Sequence, residues 1–182
     1  MDSMRKCMIN IRGGVALALY YLIARFLPKY PIPGYQFAYK IRYVLCKNIF
    51  EYIGHNVLIK RNAYFGDGRK IRIGDNSQIG INCVMDNDIS IGRDVVMGPD
   101  VIIYSSSHEY RNIELPINQQ GMMSHRPVKI GDNVWIGARC IILPGVTIGN
   151  NCIIGAGTVV TKNVPDNVVF CGQEGKVIKV RS

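Results

Sequence analysis

The chain has 182 residues, and its 22 Lys and Arg against 13 Asp and Glu give a formal net charge of +9. This length suits one main domain with an appendage. The basic excess suggests nucleic acid as a partner, but the sequence has no nucleic-acid recognition motif and no basic stripe interleaved with aromatic residues, so we exclude that class. The six cysteines show no metal-ligand or redox spacing. Their pattern favours a reducing, cytoplasmic compartment.

The first predicted element is a helical segment over residues 1–52. Its apolar run from Gly13 to Leu27 is interrupted only by Arg25, and it is shorter than the about 20 apolar residues that a membrane-spanning helix needs. A proline-rich turn follows, and Tyr35 to Tyr52 is predicted to form a second, amphipathic helix. Two roles stay open for these helices. They cap the next domain and contact a neighbouring subunit, or residues 13–30 make a peripheral membrane contact in which flanking Arg and Lys meet anionic lipid.

The next segment, residues 53–170, has a six-residue period. A large aliphatic residue recurs at every sixth position, a small or branched residue precedes it by two, and Gly often follows it. A helix would give a period of 3.6 and a simple strand a period of 2, so neither explains the pattern. Hexapeptide periodicity is typical of a parallel β-helix, whose stacked repeats form the core together. The aliphatic positions are Ile73, Ile79, Met85, Ile91, Met97, Ile103, Ile130, Ile136, Ile142, Ile148, Ile154 and Val160.

Two departures from the period are expected to change the coil. A weaker repeat begins at Ile53 and slips by two residues near Asp67 to Lys70, which predicts a bulge. Residues 104–127 lack the repeat altogether, are polar, and contain His108 and His125. A long loop in a compact domain is usually functional, so we predict that this loop leaves the coil and forms the site.

The most specific motifs are GDNVWIG at 131–137, PGVTIG at 144–149 and GAGTVVTK at 155–162. In these motifs the sequence resembles the hexapeptide-repeat acyltransferases, the group that contains maltose, galactoside and serine acetyltransferases. The resemblance covers about residues 53–180, leaving 171–182 as a C-terminal tail. It implies an all-β, left-handed parallel β-helix with an N-terminal helical appendage, assembled as a homotrimer with active sites between subunits.

The same resemblance implies a CoA-dependent O-acetyltransferase. Such an enzyme moves the acetyl group of acetyl-CoA to a hydroxyl of a saccharide acceptor, and the apolar N-terminal helices favour polysaccharide or glycolipid biosynthesis. Acetyl-CoA is then a co-substrate, and no metal is expected.

A general base is needed because a sugar hydroxyl is a poor nucleophile. His108 lies where the resembled enzymes carry a single histidine, at the start of the loop, and a neutral imidazole can accept the hydroxyl proton and later protonate the leaving thiolate. Asn82 resembles a helper asparagine from an upstream coil and is predicted as the second catalytic residue. The predicted acceptor-binding residues are Asp86, Glu109, His125 and Arg126.

The cofactor groove is predicted from the resemblance along the edge of the coil. Small residues would let the pantetheine arm approach the backbone, and cations near the end would meet the phosphates of CoA. The predicted cofactor-binding residues are Trp135, Ala138, Ala156, Thr161, Lys162, Lys176 and Lys179.

Four other functions are compatible with parts of the sequence to different degrees. An N-acyltransferase acting on an amino sugar stays open because an amine needs the same base, and a serine acetyltransferase is less favoured because the large helical domain is missing. A γ-type carbonic anhydrase needs three histidines on zinc, which the spacing of His55, His108 and His125 does not suit. A non-catalytic structural β-helix used for assembly would leave the loop histidine and the Thr161–Lys162 pair without a purpose.

Overall fold

The structure, a computed structural model, describes residues 2–172 and 176–180, and side chains within residues 11–172. Helix α1 spans Asp2–Leu22, a 3₁₀ turn spans Ala24–Phe26, and helix α2 spans Tyr35–Ile49. Among the described residues, no helix combines the length and the apolar character needed to cross a bilayer. Helices α1 and α2 confirm the predicted N-terminal helical appendage.

Sixteen short strands follow the helices within the described residues. They are β1 (Tyr52–Ile53), β2 (Leu58–Ile59), β3 (Arg72–Ile73), β4 (Gln78–Ile79), β5 (Val84–Met85), β6 (Ile89–Ile91), β7 (Val96–Met97), β8 (Ile102–Ile103), β9 (Val128–Ile130), β10 (Trp135–Ile136), β11 (Ile141–Ile142), β12 (Thr147–Ile148), β13 (Ile153–Ile154), β14 (Val159–Val160), β15 (Val168–Cys171) and β16 (Lys176–Val180).

The strands stack into three sheets that form the sides of a triangular coil. Sheet A has the order β1-β3-β6-β9-β12, sheet B the order β16-β15-β13-β10-β7-β4-β2, and sheet C the order β14-β11-β8-β5. Ile73 pairs with Ile91 and Met85 with Ile103, each eighteen residues later, so three hexapeptides make one turn. Every pairing of named strands is parallel except β15 with β16. The predicted parallel β-helix is confirmed.

The repeat positions form the core. All twelve aliphatic residues of the six-residue period are at most 4% exposed, and so are the twelve residues that precede them by two. This follows from strand geometry, because residues two apart point to the same side of a strand. The residue between each pair faces outward.

The corners between the sheets depend on left-handed backbone. We call the corner between sheets A and B the first corner, between B and C the second, and between C and A the third. Asn76 at the first corner and Asn82 at the second have φ near +60°, a conformation that asparagine tolerates better than most residues. Their side chains also join successive turns: the amide of Asn76 donates to the carboxylate of Asp94 at 2.9 Å.

Three turns of the coil depart from eighteen residues. Ile59 pairs with Ile79, twenty residues later, so two extra residues enter here as the slip near Asp67 to Lys70 predicted. Ile154 pairs with Phe170, only sixteen residues later. Ile103 pairs with Ile142, 39 residues later, so 21 residues leave the coil at the third corner. These residues form the predicted extruded loop.

The helices cover the first turn of the coil. Tyr20 is fully buried, its ring packs on Phe65 with centroids 4.5 Å apart, and its hydroxyl donates to the carbonyl of Ala63 at 3.0 Å. Arg42 is also buried, and its Nε donates to the carbonyl of Ala24 at 2.9 Å. These contacts fix the helices and the segment between them against the coil.

Candidate active site

The extruded loop is an ordered hairpin. Its two arms pair antiparallel, with His108 opposite Met122, while Glu109 N donates to Gly121 O at 3.0 Å and Met123 N to Ser107 O at 2.8 Å. The hairpin therefore holds His108 on a paired arm rather than on an unstructured segment.

Asp86 fixes the point where the hairpin leaves the coil. It lies at the third corner, one turn below, and its Oδ2 accepts from the N–H of Ser105 at 2.9 Å, the N–H of Ser106 at 3.3 Å and the hydroxyl of Ser106 at 3.1 Å. A carboxylate that accepts several backbone N–H groups is a strong local anchor. Asp86, predicted to bind the acceptor, thus has one oxygen committed to positioning the arm that carries His108.

The predicted base has no orienting side chain among the described residues of one chain. His108 is exposed, and its ring makes no hydrogen bond with any described side chain. A catalytic imidazole normally has an orienting partner.

The returning arm of the hairpin carries two predicted acceptor residues. His125 Nδ1 lies 3.5 Å from the Oδ2 of Asp88 and 3.5 Å from the hydroxyl of Ser105. The guanidinium of Arg126 lies over Gly145, where an added Cβ would be 2.7 Å from its Nε. Both residues lie at the third corner, beside the base of the hairpin.

The carboxylate of Glu109 binds the backbone of the turn that follows His108. Its Oε1 accepts from the N–H groups of Tyr110 and Arg111 at 3.0 and 3.1 Å. The N–H of Arg111, then that of Tyr110, lowers the pKa of the Glu109 carboxyl. The carboxylate stabilises the turn after His108, and its role toward an acceptor stays a prediction.

Asn82 lies at a different edge of the coil from the base of the hairpin. At the second corner its Nδ2 donates to Asp100 Oδ1 at 2.9 Å, and its Oδ1 accepts from the Nδ2 of Asn62 at 3.1 Å. An amide nitrogen has two hydrogens, so one N–H of Asn82 remains after the bond to Asp100. The ladder fixes the direction in which that N–H points.

The second corner also holds the small residues predicted to border the cofactor. A Cβ at Gly98 would lie 2.6 Å from the nitrogen of Ala138, and a Cβ at Gly137 would lie 2.5 Å from that of Ala156. Successive turns therefore approach closely here, and at Gly98, Gly137, Ala138 and Ala156 the corner presents only backbone and methyl groups.

The remaining predicted cofactor residues lie elsewhere on the coil. Thr161 and Lys162 are exposed at the third corner, and Trp135, 55% exposed, faces outward from sheet B. Lys176 and Lys179 belong to β16, where their backbones pair with Cys171 and Val169. The side chains of these two lysines lie outside the described residues.

Most of the predicted site residues thus form two groups on one chain, while Trp135, Lys176 and Lys179 belong to sheet B. The third corner carries His108, His125, Arg126, Thr161 and Lys162, and the second corner carries Asn82, Ala138 and Ala156. Sheet C separates the two corners.

Sequence reasoning gave no role to Ser105 and Ser106, the residues that bind Asp86. Their position directly after β8, as a run of small hydroxyl residues before the histidine, was the available signal. Among the described residues, no group of three His, Cys, Asp or Glu side chains is arranged to hold a metal ion.

Comparison with known proteins defines the family. The family model described as "Bacterial transferase hexapeptide (six repeats)" matches residues 127–162, and "Hexapeptide repeat of succinyl-transferase" matches residues 70–105. A solved structure of galactoside acetyltransferase in complex with coenzyme A is 31% identical, with a TM-score of 0.76 over 96% of this chain and 82% of that chain.

Two curated relatives extend the comparison. Galactoside O-acetyltransferase of Escherichia coli (strain K12) is 38% identical over 137 residues, which cover 74% of this chain and 66% of the relative. The putative colanic acid biosynthesis acetyltransferase WcaF of the same organism is 30% identical over 148 residues, covering 80% of this chain and 78% of the relative. The chain spans just under two thirds of the length of the galactoside acetyltransferases it matches. From its stacked hexapeptide turns and these relatives, the chain belongs to the hexapeptide-repeat acyltransferases with a left-handed β-helix.

Proposed function

We propose that this protein is a CoA-dependent O-acetyltransferase that moves the acetyl group of acetyl-CoA to a hydroxyl of a saccharide. The observation that carries the proposal is the exposed His108, held on an anchored hairpin arm at the edge of the coil. The names of its relatives, galactoside O-acetyltransferase and a galactoside acetyltransferase solved with coenzyme A, support the same donor and acceptor class.

The reaction we infer is a direct transfer. A ring nitrogen of neutral His108 accepts the proton of the acceptor hydroxyl as its oxygen attacks the thioester carbonyl. The carbon–sulfur bond then breaks, the imidazolium returns the proton to the thiolate, and the products are the acetyl ester and free CoA. The remaining N–H of Asn82 from a neighbouring subunit would stabilise the charge on the carbonyl oxygen. An acyl-cysteine intermediate is disfavoured because Cys46, Cys83, Cys140 and Cys152 are buried, and the partly exposed Cys171 lies in β15 of sheet B rather than at the third corner beside the hairpin.

The residues present fit coenzyme A as a ligand. The second corner, with Gly98, Ala138 and Ala156, presents backbone groups that an extended pantetheine arm can approach. Lys162 is an exposed cation that can meet a phosphate at the end of that arm. Thr161 beside it offers a hydroxyl to the same group.

A homotrimer would unite the two halves of the site. The outward residues of sheet A are mostly polar, while those of sheets B and C are mostly apolar, including Val96, Trp135, Ile102 and Ile141. The second corner lies between these two apolar faces. If each subunit packs one such face against the other face of its neighbour, the contact is heterologous and closes into a ring. The hairpin that leaves the third corner of one subunit would then extend over the neighbouring subunit, and we propose that it brings His108 to the neighbour's Asn82.

We also propose that the helical segment contacts an anionic membrane surface through residues 13–30. Residues 3–50 contain eight Lys and Arg and no Asp or Glu. Beside these cations lies a continuous exposed apolar stripe, and such a combination is typical of helices that lie on anionic bilayers. The stripe consists of Ile11, Val15, Leu19, Leu22, Ile23 and Phe26.

A membrane contact would suit a role in polysaccharide or glycolipid biosynthesis, which the name of the relative WcaF also supports. A cytoplasmic location is supported by the free cysteines of the described chain.

The test is acetyl-CoA turnover, measured as free thiol released in the presence of sugars, amino sugars and glycolipids. We expect release that depends on an acceptor and falls by about 10² to 10⁴-fold in His108→Ala. His55→Ala is the matched control, because His55 is an exposed histidine at the first corner. Full turnover by His108→Ala would remove this residue from the chemistry, and failure to bind CoA would contradict the proposed donor.

A further inference from the structure

A separate cavity of about 330 Å³ lies between the segment that follows α1 and the second corner of the first two turns. This volume falls in the range of small-molecule sites. Its lining residues are Phe26, Lys29, Arg61, Asn62, Ile81 and Asn82.

The charged side chains that line this cavity are all positive. Lys29 and Arg61 come from different parts of the chain, and no acidic residue lines the cavity. Within the part of the chain whose side chains are described, neither cation forms an ion pair. Two like charges brought to one small site repel each other, so the arrangement favours a ligand that supplies negative charge.

The polar wall of the cavity is held rigid by a third cation. Arg25 Nη2 donates to Asn62 Oδ1 at 2.6 Å, and the Nδ2 of Asn62 donates in turn to Asn82 at 3.1 Å. Asp100, the carboxylate at the far end of this ladder, is already bonded to Asn82 at 2.9 Å. The ladder leaves Lys29 and Arg61 as the charged donors available to a ligand.

The other walls suit a sugar ring. Phe26 and Ile81 offer apolar surface, and an aromatic side chain can lie against the apolar face of a pyranose. An anionic sugar would therefore find both of the surfaces that it needs in this cavity.

We propose that this cavity binds an anionic group, a phosphate or a carboxylate, on the saccharide that accepts the acetyl group. The inference rests on the proposed function, because Asn82 is both a wall of this cavity and the predicted helper of His108. It adds the substrate class: the acceptor is a charged sugar, and Lys29 and Arg61 select it.

The experiment measures calorimetric binding of galactose 6-phosphate, galacturonic acid, galactose and inorganic phosphate to the CoA-loaded protein. We compare wild type with the double variant Lys29→Gln/Arg61→Gln. The matched control is Arg72→Gln/Lys129→Gln, which removes one Arg and one Lys from the outward face of sheet A. Losing charge-assisted hydrogen bonds of this kind weakens binding by about 10- to 100-fold.

We expect at least one charged sugar to bind about tenfold or more tightly than galactose. Its affinity should fall in the Lys29→Gln/Arg61→Gln variant and with added salt, but not in the control variant. A preference for galactose 6-phosphate would identify the anionic group of the acceptor as a phosphate, and a preference for galacturonic acid would identify it as a carboxylate.

Equal binding of galactose and both charged sugars would overturn the inference, as would charged-sugar binding that survives loss of both cations. Stronger binding of inorganic phosphate than of either charged sugar would also contradict a sugar site. CoA affinity is recorded on the same samples, so a failure of the proposed donor is seen separately from a failure of this inference.

Discussion

Replacing Asp86 with Ala tests whether the anchored exit of the hairpin matters for transfer. The carboxylate accepts three hydrogen bonds, from 2.9 to 3.3 Å, that hold Ser105 and Ser106. Hydrogen bonds to charged groups contribute about 1.5–3 kcal/mol each. Because the three share one oxygen of a partly buried side chain, we expect their joint loss to be about 2–3 kcal/mol. If the ordered arm is needed in the transition state, kcat falls about 30- to 150-fold.

The assay is kcat and KM for both substrates, together with hydrogen exchange at the amides of Ser105 and Ser106. Asp132→Ala is the matched control, because Asp132 also accepts a backbone N–H from a neighbouring turn, that of Arg93 at 2.8 Å, but at the first corner. Asp86→Ala should lower kcat and speed exchange, while its KM for acetyl-CoA stays near that of wild type. Full kcat with fast exchange would refute the positioning role, and an equal loss in Asp132→Ala would indicate a general effect on the fold.

Three further predictions concern the core, acid stability and the membrane. Ile136→Ala, at a fully buried position of β10, should lower the free energy of unfolding by about 2–5 kcal/mol in chemical denaturation, whereas Thr147→Ala, at an outward position on the polar sheet A, should cost less than about 1 kcal/mol. The N–H of Arg93, then its guanidinium, lowers the pKa of Asp132, so this carboxylate contributes stability above its unfolded pKa of about 3.9 that is lost as the pH falls through its folded pKa. Asp132→Asn should therefore lose less stability than wild type between pH 5 and pH 2 in acid titration, and an equal loss would contradict the assignment. Vesicles containing anionic lipid should sediment with the protein, less so at high salt or for Val15→Ser/Leu22→Ser, and equal binding to neutral vesicles would contradict the charge argument.

The six-residue period predicted the fold because strand geometry leaves little choice. Once Ile73 and Ile91 are assigned inward, the side chains of each short strand must alternate between the inside and the outside of the coil. The corners need residues with φ > 0, and Asn, Asp or Gly accept that conformation. The slip near Asp67 was equally visible, because two added residues shift every later position of the period.

The site was harder to predict from the sequence, because a polar side chain in or beside the hairpin can form hydrogen bonds with several different groups. Asp86 and Glu109 are both predicted to bind the acceptor, and each carboxylate also accepts hydrogen bonds from loop backbone. That outcome depends on the conformation of the hairpin, which no period encodes. The cationic cavity could not be predicted from the sequence, because Lys29 and Arg61 are 32 positions apart and line one cavity only once the helices pack on the first turn of the coil.

The central claim is that acetyl transfer occurs at a site shared by two subunits, with His108 from one and Asn82 from the next. Co-expression of His108→Ala and Asn82→Ala chains tests it directly by thiol release from acetyl-CoA. Each variant alone should be nearly inactive, but random mixed trimers would carry an intact pair at about one quarter of their sites, and turnover should recover to about that fraction of wild type. Mixed trimers that stay as inactive as both parents would contradict the shared site.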